Sequence, residues 1–333
     1  MPGALPQLFG AYELLERLGT GGMAETFVAK RHAPGALEQR VCLKRILPAF
    51  ESDPMFVRMF LREARLSALL QHPHIARVLD FGKVDQTHYL TLELVEGTDL
   101  RTVLRYLRRR AEPLDTGLAL YLAHTLARAL DFAHAADSDG VTAGVVHRDI
   151  SPSNVLLSRA GEVKLADFGI AKAVNHPGSV QSQALKGKVP YMAPEYALGR
   201  RCSARSDLFS LGVLLYECLA GFRPFEGGND LQTLEQARLG DREPLEDVAP
   251  HAPPELVSLV DALLEPAAQS RPPTAGVVLA RLNDVPPPAL VNRQLGELVR
   301  QVERDSLGET LPGLAATRPA ATQRPRRRLP SRR

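Results

Sequence analysis

The chain of 333 residues has no tryptophan, three cysteines and an aromatic share of only 5%. Cys42, Cys202 and Cys218 are too few for a disulfide framework and lack the paired spacing of a zinc site. Lysine is scarce, at seven against 34 arginines, so a lysine in a patterned setting carries information. Long apolar runs are missing too. The strongest, around Leu208–Leu219, is interrupted by Ser210, Glu217 and Cys218 and is too short to span a bilayer. No basic-then-apolar leader opens the chain. Together these absences predict a reduced, cytoplasmic protein. What is present is ordinary for a globular chain: 44% hydrophobic and 24% charged residues, which excludes wholesale disorder. The length accommodates two modules or one two-lobed module.

The formal charge of +3 conceals an asymmetry. Residues 286–333 hold ten arginines, no lysine and four acidic residues, a net of +6, so the rest sums to about −3. The basic balance belongs to the C-terminal segment and does not mark the body of the protein as a nucleic-acid binder.

The first 95 residues are mostly strand-like, with short apolar-rich runs at Tyr12–Leu18, Glu25–Lys30, Val41–Ile46 and His88–Val95. One helix interrupts them. Ser52-Asp53-Pro54 offers a cap followed by proline in the first turn, and Phe56, Phe60, Ala64 and Ala68 then recur every four residues. From Asp99 the character turns helical. Leu118–Ala135 and Ser206–Ala220 are apolar enough to be buried helices, the second expected to start on a Ser206 cap and to stop at Gly221. Short strands fall at Val155–Leu157 and Val163–Ala166, and further helices at Glu255–Leu264 and Thr274–Leu282. The expectation is an α+β arrangement, a small β-rich lobe followed by a larger helical one with a cleft between them.

Three groups of residues carry chemistry. Gly19-Thr20-Gly21-Gly22-Met23-Ala24 lies between two strands, where glycines let backbone N–H groups approach phosphate oxygens. An ordinary glycine hairpin explains the same stretch. No helix follows, as a Rossmann turn requires, and no Gly-Lys-Ser/Thr follows, as a P-loop requires. Lys44 sits mid-strand, where a lysine usually faces solvent, and Glu63 follows 19 residues later on the capped helix. A lysine aimed at phosphates needs a carboxylate to hold its flexible side chain. The most specific signal is His147-Arg148-Asp149-Ile150-Ser151-Pro152-Ser153-Asn154, followed 18 residues after Asp149 by Asp167-Phe168-Gly169. Asp149 with Asn154 five positions on can serve both a nucleophile and a metal ion, and Asp167 completes an oxygen shell of the kind Mg²⁺ demands.

Together with Ala193-Pro194-Glu195, this set resembles the eukaryotic-type serine/threonine protein kinases over Tyr12–Asn283. The resemblance is strongest to the bacterial branch, through Arg62-Glu63-Ala64-Arg65 with His72-Pro73-His74-Ile75 and through Tyr191-Met192-Ala193-Pro194-Glu195. It implies a two-lobed protein-kinase-like fold, with an N-lobe over 12–95 and a C-lobe over 96–283. Residues 1–11 would be an extension, and 284–333 a Pro/Arg-rich tail with an amphipathic helix near 289–304. It further implies ATP and Mg²⁺ as cofactors and protein hydroxyls as substrates. Backbone groups of Gly19, Thr20, Gly21, Gly22, Met23 and Ala24 would cover the phosphates. Lys44, oriented by Glu63, would hold them. Glu93, Leu94 and Val95 would meet adenine behind a Leu92 gatekeeper, and Asp99 the ribose. Asp149 would take the acceptor proton, with Asn154 and Asp167 on the metal. Asp207 would steady the catalytic loop, and Glu195 with Arg271 would form an ion pair of the large lobe.

Some positions depart from the pattern. Ala24 replaces a glycine, Thr26 a valine and Phe209 a tryptophan. Ser151 stands where a lysine usually touches the γ-phosphate, and Lys188 where a threonine usually meets the catalytic aspartate. Lys188 either substitutes for the missing cation or faces solvent. These two departures are the only support for an alternative, a nucleotide-binding pseudokinase or signalling scaffold. A small-molecule kinase is a third reading, opposed by the Ala193-Pro194-Glu195 segment. Arg148 invites an activation segment phosphorylated on Ser179 or Ser182. Pro286-Pro287-Pro288 is expected to end the globular part; in the tail behind it Val291, Leu295, Leu298 and Val302 form an apolar stripe that docks on the large lobe, on a second copy or on a partner helix. Seven arginines and no acid from Arg318 onward predict a disordered end, either a merely solvated tail or one making weak contact with polyanions such as acidic surfaces, anionic lipid headgroups or nucleic acid.

Overall fold

Short apolar-rich strands set the small lobe. The chain opens with strands β1 (Gln7–Phe9), β2 (Tyr12–Thr20), β3 (Ala24–Arg31) and β4 (Gln39–Ile46), then helices α1 (Pro48–Glu51) and α2 (Pro54–Leu69), then strands β5 (Val78–Val84) and β6 (Thr87–Glu93). The structure, a computed structural model, describes residues 5–21, 24–32, 38–136, 144–168 and 188–309. The six strands form one antiparallel sheet in the order β1-β2-β3-β4-β6-β5. Because side chains alternate along a strand, Val41 and Leu43 of β4 pack on one face with Phe9, Tyr12, Leu14 and Phe27. Cys42 and Ile46 pack on the other face, with Leu90, Leu92 and the α2 residues Phe60 and Ala64. Lys44 shares the parity of Cys42 and Ile46, so it stands on the face that α2 covers. Its cross-strand neighbours are Thr26 on β3 and Leu90 on β6.

Helix α2 begins as its sequence requires, with the Asp53 carboxylate accepting from Met55 N at 2.8 Å and Pro54 in the first turn. Its buried face carries Met59, Phe60, Glu63, Ala64 and Ser67.

The large lobe follows a short connection. Strand β7 (Gly97–Asp99), helices α3 (Leu100–Arg109) and α4 (Thr116–Ala135), and strands β8 (Val155–Ser158) and β9 (Val163–Leu165) come first. Helices α5 (Pro194–Ala197), α6 (Ala204–Ala220), α7 (Asp230–Leu239), α8 (Leu245–Val248), α9 (Pro254–Leu263), α10 (Ala275–Leu282) and α11 (Val291–Glu309) complete it. Strands β7, β8 and β9 form a second small antiparallel sheet. Helices α4 and α6 are buried nearly all round and share one core, which explains their continuous apolar character.

The lobes are tied by main chain. Leu165 N donates to His74 O and Ala76 N to Leu165 O, each at 2.9 Å, while Lys164 Nζ meets Glu93 Oε1 at 3.1 Å.

Three local expectations need correction. The sheet starts before Tyr12, because β1 pairs with β2 and buries Phe9. Helix α6 is capped at Ser203, whose N–H donates to Ser206 Oγ at 3.0 Å; Ser206 belongs to the first turn and is not the cap. The run Pro286-Pro287-Pro288 does not end the packed body, because α11 docks behind it on the large-lobe core through Val291, Leu295, Val299 and Val302. Val299, absent from the expected stripe, is fully buried, while Leu298 is only partly so. No helix among the described residues is long and apolar enough to cross a membrane.

Candidate active site

Between the lobes, one lysine gathers two carboxylates from distant segments. Lys44 Nζ lies 3.4 Å from Glu63 Oε1 on α2 and 3.1 Å from Asp167 Oδ1, two residues after β9. Burial disfavours the ammonium, yet the charges of Asp167 and Glu63 outweigh it and hold the Lys44 pKa above the ordinary lysine value. Asp167 answers in kind: chiefly the Lys44 charge, with its hydrogen bond, keeps the carboxyl below the usual aspartate range despite burial. Burial, and after it the neighbouring Asp167 and Asp149 charges, push Glu63 up against the pull of Lys44.

The loop before β8 presents Asp149. Its geometry is imposed from below by Asp207 of α6, whose Oδ2 accepts from His147 N at 2.7 Å and whose Oδ1 accepts from Arg148 N at 2.8 Å. His134, at the end of α4, adds a contact to Asp207 Oδ2 at 2.8 Å. Nothing in the sequence marked His134 for this role. The clamp sustains a left-handed backbone at Arg148 (φ 63°), and Asp167 is left-handed as well (φ 56°). Such conformations persist for non-glycine residues only where the surroundings enforce them.

His147 is wholly buried, and its ring is fixed from both sides. Nδ1 accepts from Asp149 N at 3.2 Å, so Nε2 carries the hydrogen that is donated to Ala166 O at 3.1 Å. Burial pushes its pKa down despite Asp207 and Asp149, so it serves as a neutral strut between the two loops. Phe168 packs against the same ring at 4.4 Å.

Asn154 donates through Nδ2 to Asp149 O at 2.7 Å and to Asp149 Oδ2 at 3.0 Å, locking amide and carboxylate together. Its amide oxygen and the Asp167 carboxylate are hard oxygen donors on facing loops. Two such ligands, with substrate phosphates and water, suit Mg²⁺, which is seldom held by an all-protein cage.

At the roof, Gly21 N donates to Ala24 O at 2.7 Å across the β2–β3 hairpin. A Cβ at Gly19 would meet nothing within 4 Å, so internal packing does not select glycine there. Thr20 ends β2 and Ala24 opens β3, while Gly22 and Met23 lie outside the described residues. On the connection between the lobes, Glu93 Oε1 accepts from Arg77 N at 2.8 Å, and Leu94 and Val95 lead on to β7. Asp99 caps α3, accepting from Thr102 N at 2.7 Å.

Lys188 does not face solvent. Its Nζ reaches Asp149 Oδ2 at 2.5 Å, across 39 residues of chain, and it lines one cavity with Asp149, Tyr191 and Tyr196. Ser151 is buried beside Asp149 and pairs with Ser153 Oγ at 3.1 Å. Gly169, Ser179 and Ser182 lie outside the described residues, as does the arginine-rich end.

Comparisons with known proteins bear on the fold that carries this geometry. Residues 12–281 match the model of the protein kinase domain. The chain is 40% identical over 272 residues to the tyrosine-protein kinase MasK of Myxococcus xanthus, covering 81% of this chain and 42% of that protein. It is 38% identical over 298 residues to the serine/threonine-protein kinase PknA of Mycobacterium tuberculosis, covering 84% and 65% respectively. The chain therefore spans less than two thirds of the length of these relatives. The crystal structure of the Mycobacterium tuberculosis PknI kinase domain superposes with a TM-score of 0.63 at 26% identity, covering 85% of this chain and 99% of that one.

Proposed function

The chain belongs to the protein kinase domain family, and on that footing we propose that it is an active serine/threonine protein kinase. It transfers the γ-phosphoryl group of Mg·ATP to hydroxyls of protein substrates in bacterial signalling. The observation that carries the reading is the meeting of Lys44 with Glu63 and Asp167, opposite an Asp149 locked to Asn154. These groups come from a strand, a helix and two loops, and no packing need explains two carboxylates on one cleft lysine.

Each residue then has a role. Backbone groups of Gly19–Ala24 cover the phosphates, and Lys44, held by Glu63, meets them. The main chain at Glu93 and Val95 receives adenine, and Asp99 lies where the ribose falls. Asp149 orients the acceptor hydroxyl and takes its proton. Asn154 and Asp167 would hold Mg²⁺, which neutralises phosphate charge when bound. Most of the acceleration on this reading comes from positioning and from charges already in place.

The scaffold alternative rests on Ser151 and on Lys188, whose ammonium meets Asp149, and the transfer assay below separates it from the active enzyme. Three further readings accompany the main one. Ser179 or Ser182 is an autophosphorylation site read by Arg148, the arginine-rich end makes salt-sensitive contacts with polyanions, and three free cysteines fit the reducing cytoplasm.

The test is transfer from γ-labelled ATP with Mg²⁺ to dephosphorylated casein, followed by phosphoamino-acid analysis. The parent should label serine or threonine, Asp149→Asn should not, and Asp167→Asn should also bind Mg·ATP more weakly. Parental transfer by Asp149→Asn would overturn the assignment. Label on tyrosine alone would move the chain toward the activity that MasK is named for.

A further inference from the structure

The phosphoryl group in flight carries negative charge that the cleft must meet with cations. Lys44 already answers to two carboxylates at 3.4 and 3.1 Å. The residue two places after Asp149 is Ser151, uncharged, 2% exposed and turned to Ser153. Among the described residues, one further ammonium reaches the same carboxylate that receives the acceptor proton: Lys188, 2.5 Å from Asp149 Oδ2, with about 29% of its side chain exposed. It lies just ahead of the Val189–Tyr191 turn, which is buried and anchored by Tyr191 OH on Glu217 and by Ser210 Oγ on Tyr191 O. Its backbone is thus held while the four-carbon stem can swing by a few ångströms.

We propose that Lys188 is a catalytic cation of this enzyme, orienting Asp149 at rest and meeting the terminal phosphoryl oxygens during transfer, in place of the charge that Ser151 does not supply. The inference rests on the kinase reading above. In the step it serves, the acceptor O–H bond breaks and its proton passes to Asp149. The acceptor oxygen bonds to the γ-phosphorus, and the bond from that phosphorus to the bridging oxygen breaks, its electron pair leaving on the nucleoside diphosphate. Lys188 keeps its protons throughout and contributes charge at short range beside the buried Asp149; a preorganised donor of this kind typically matters by about 10²–10³-fold in turnover.

The experiment compares the parent, Asp149→Asn, Lys188→Met and Lys188→Arg in casein phosphorylation, with kcat and KM for ATP separated. It also measures binding of MgADP with and without tetrafluoroaluminate, a mimic of the transferring group. Methionine keeps the stem and removes the charge. Lys188→Met should lower kcat about 10²-fold while KM for ATP and MgADP affinity stay near parental. It should weaken the fluoroaluminate complex by a similar factor, because a transition-state contact appears in the mimic and not in the ground state. Lys188→Arg should keep a substantial part of both. A Lys188→Met protein with parental or higher kcat, or with parental fluoroaluminate affinity, would overturn the proposal and make the contact a resting lock on Asp149. Arginine failing as badly as methionine would overturn it too, since shape and not charge would then matter. A parent no more active than Asp149→Asn would sink the kinase reading itself, and this proposal with it.

Discussion

Arg271 and Glu195 form two parallel hydrogen bonds, of 2.8 and 2.9 Å, in the interior of the large lobe. The guanidinium is entirely enclosed, and its remaining hydrogens go to the carbonyls of Glu265, Arg205 and Pro266, with Phe209 stacked at 4.7 Å. Burial alone would raise the Glu195 pKa, but the Arg271 hydrogen bonds and charge bring it below the ordinary glutamate value. Removing one partner strands a buried charge. Arg271→Ala should therefore destabilise the protein by about 3–5 kcal/mol, and Arg271→Lys should restore little, because an ammonium cannot reproduce the five-donor fork. Thermal melting of the two variants checks both statements.

Lys44 and Glu63 should behave as one unit. Lys44→Ala and Glu63→Ala each lower turnover, and the double variant should be no worse than the poorer single, a coupling of about 0.5–3 kcal/mol. Strictly additive losses in kcat/KM would mean that the contact between β4 and α2 does not position the lysine.

Helix α11 is docked through a near-contact of backbones. A Cβ on Gly161, whose φ is +84°, would stand 1.7 Å from Asn292 O, and one on Gly296 would stand 2.6 Å from Arg159 O. Arg159 also meets Glu303 at 2.8 Å, and Tyr106 and Arg110 both meet Asp305. Gly161→Ala should push α11 off the lobe, lower the melting temperature by about 2 °C for each ~1 kcal/mol lost, and open residues 291–309 to protease. A variant that melts and resists cleavage like the parent would show that the helix tolerates separation.

Removing residues 315–333 should leave catalysis and melting unchanged, since a stretch of proline, alanine and arginine without acidic residues cannot build a core. It should abolish salt-sensitive retention on heparin. Paired kinase and heparin-gradient measurements decide this, and unchanged elution would remove the polyanion reading.

Acid should weaken the fold through buried and half-buried histidines. His124 on α4 is held at Val285 O, and burial pushes its pKa below the ordinary value; His72 and His74 shift the same way for the same first cause. The unfolded chain then takes up protons near pH 6.5 that the folded chain refuses. Stability is full above that pH and falls as pH drops toward the folded pKa, by at most about 1.4 kcal/mol per pH unit for each group. His124→Gln should flatten the decline between pH 7 and 5.5 in chemical denaturation, and an unchanged slope would assign it elsewhere.

Much of the molecule was written locally. The Asp53-Pro54 start of α2, the Gly221 stop of α6 and the spacing of Asp149, Asn154 and Asp167 depend on neighbours a few residues away, so the sequence alone disclosed them. The face of Lys44 was also implicit, because a period of two places it with Cys42 and Ile46. What tertiary structure decided lies between residues far apart in the chain. The pairing of β1 with β2, the choice of Val299 over Leu298 as the buried residue of α11, and the clamp of His134 on Asp207 across 73 residues have no local signature. Lys188 shows the division most plainly. The sequence put a cation at an unusual place and left its direction open between solvent and cleft. Only the packing of Tyr191 against Glu217, which anchors the turn that follows Lys188, aims its ammonium at Asp149.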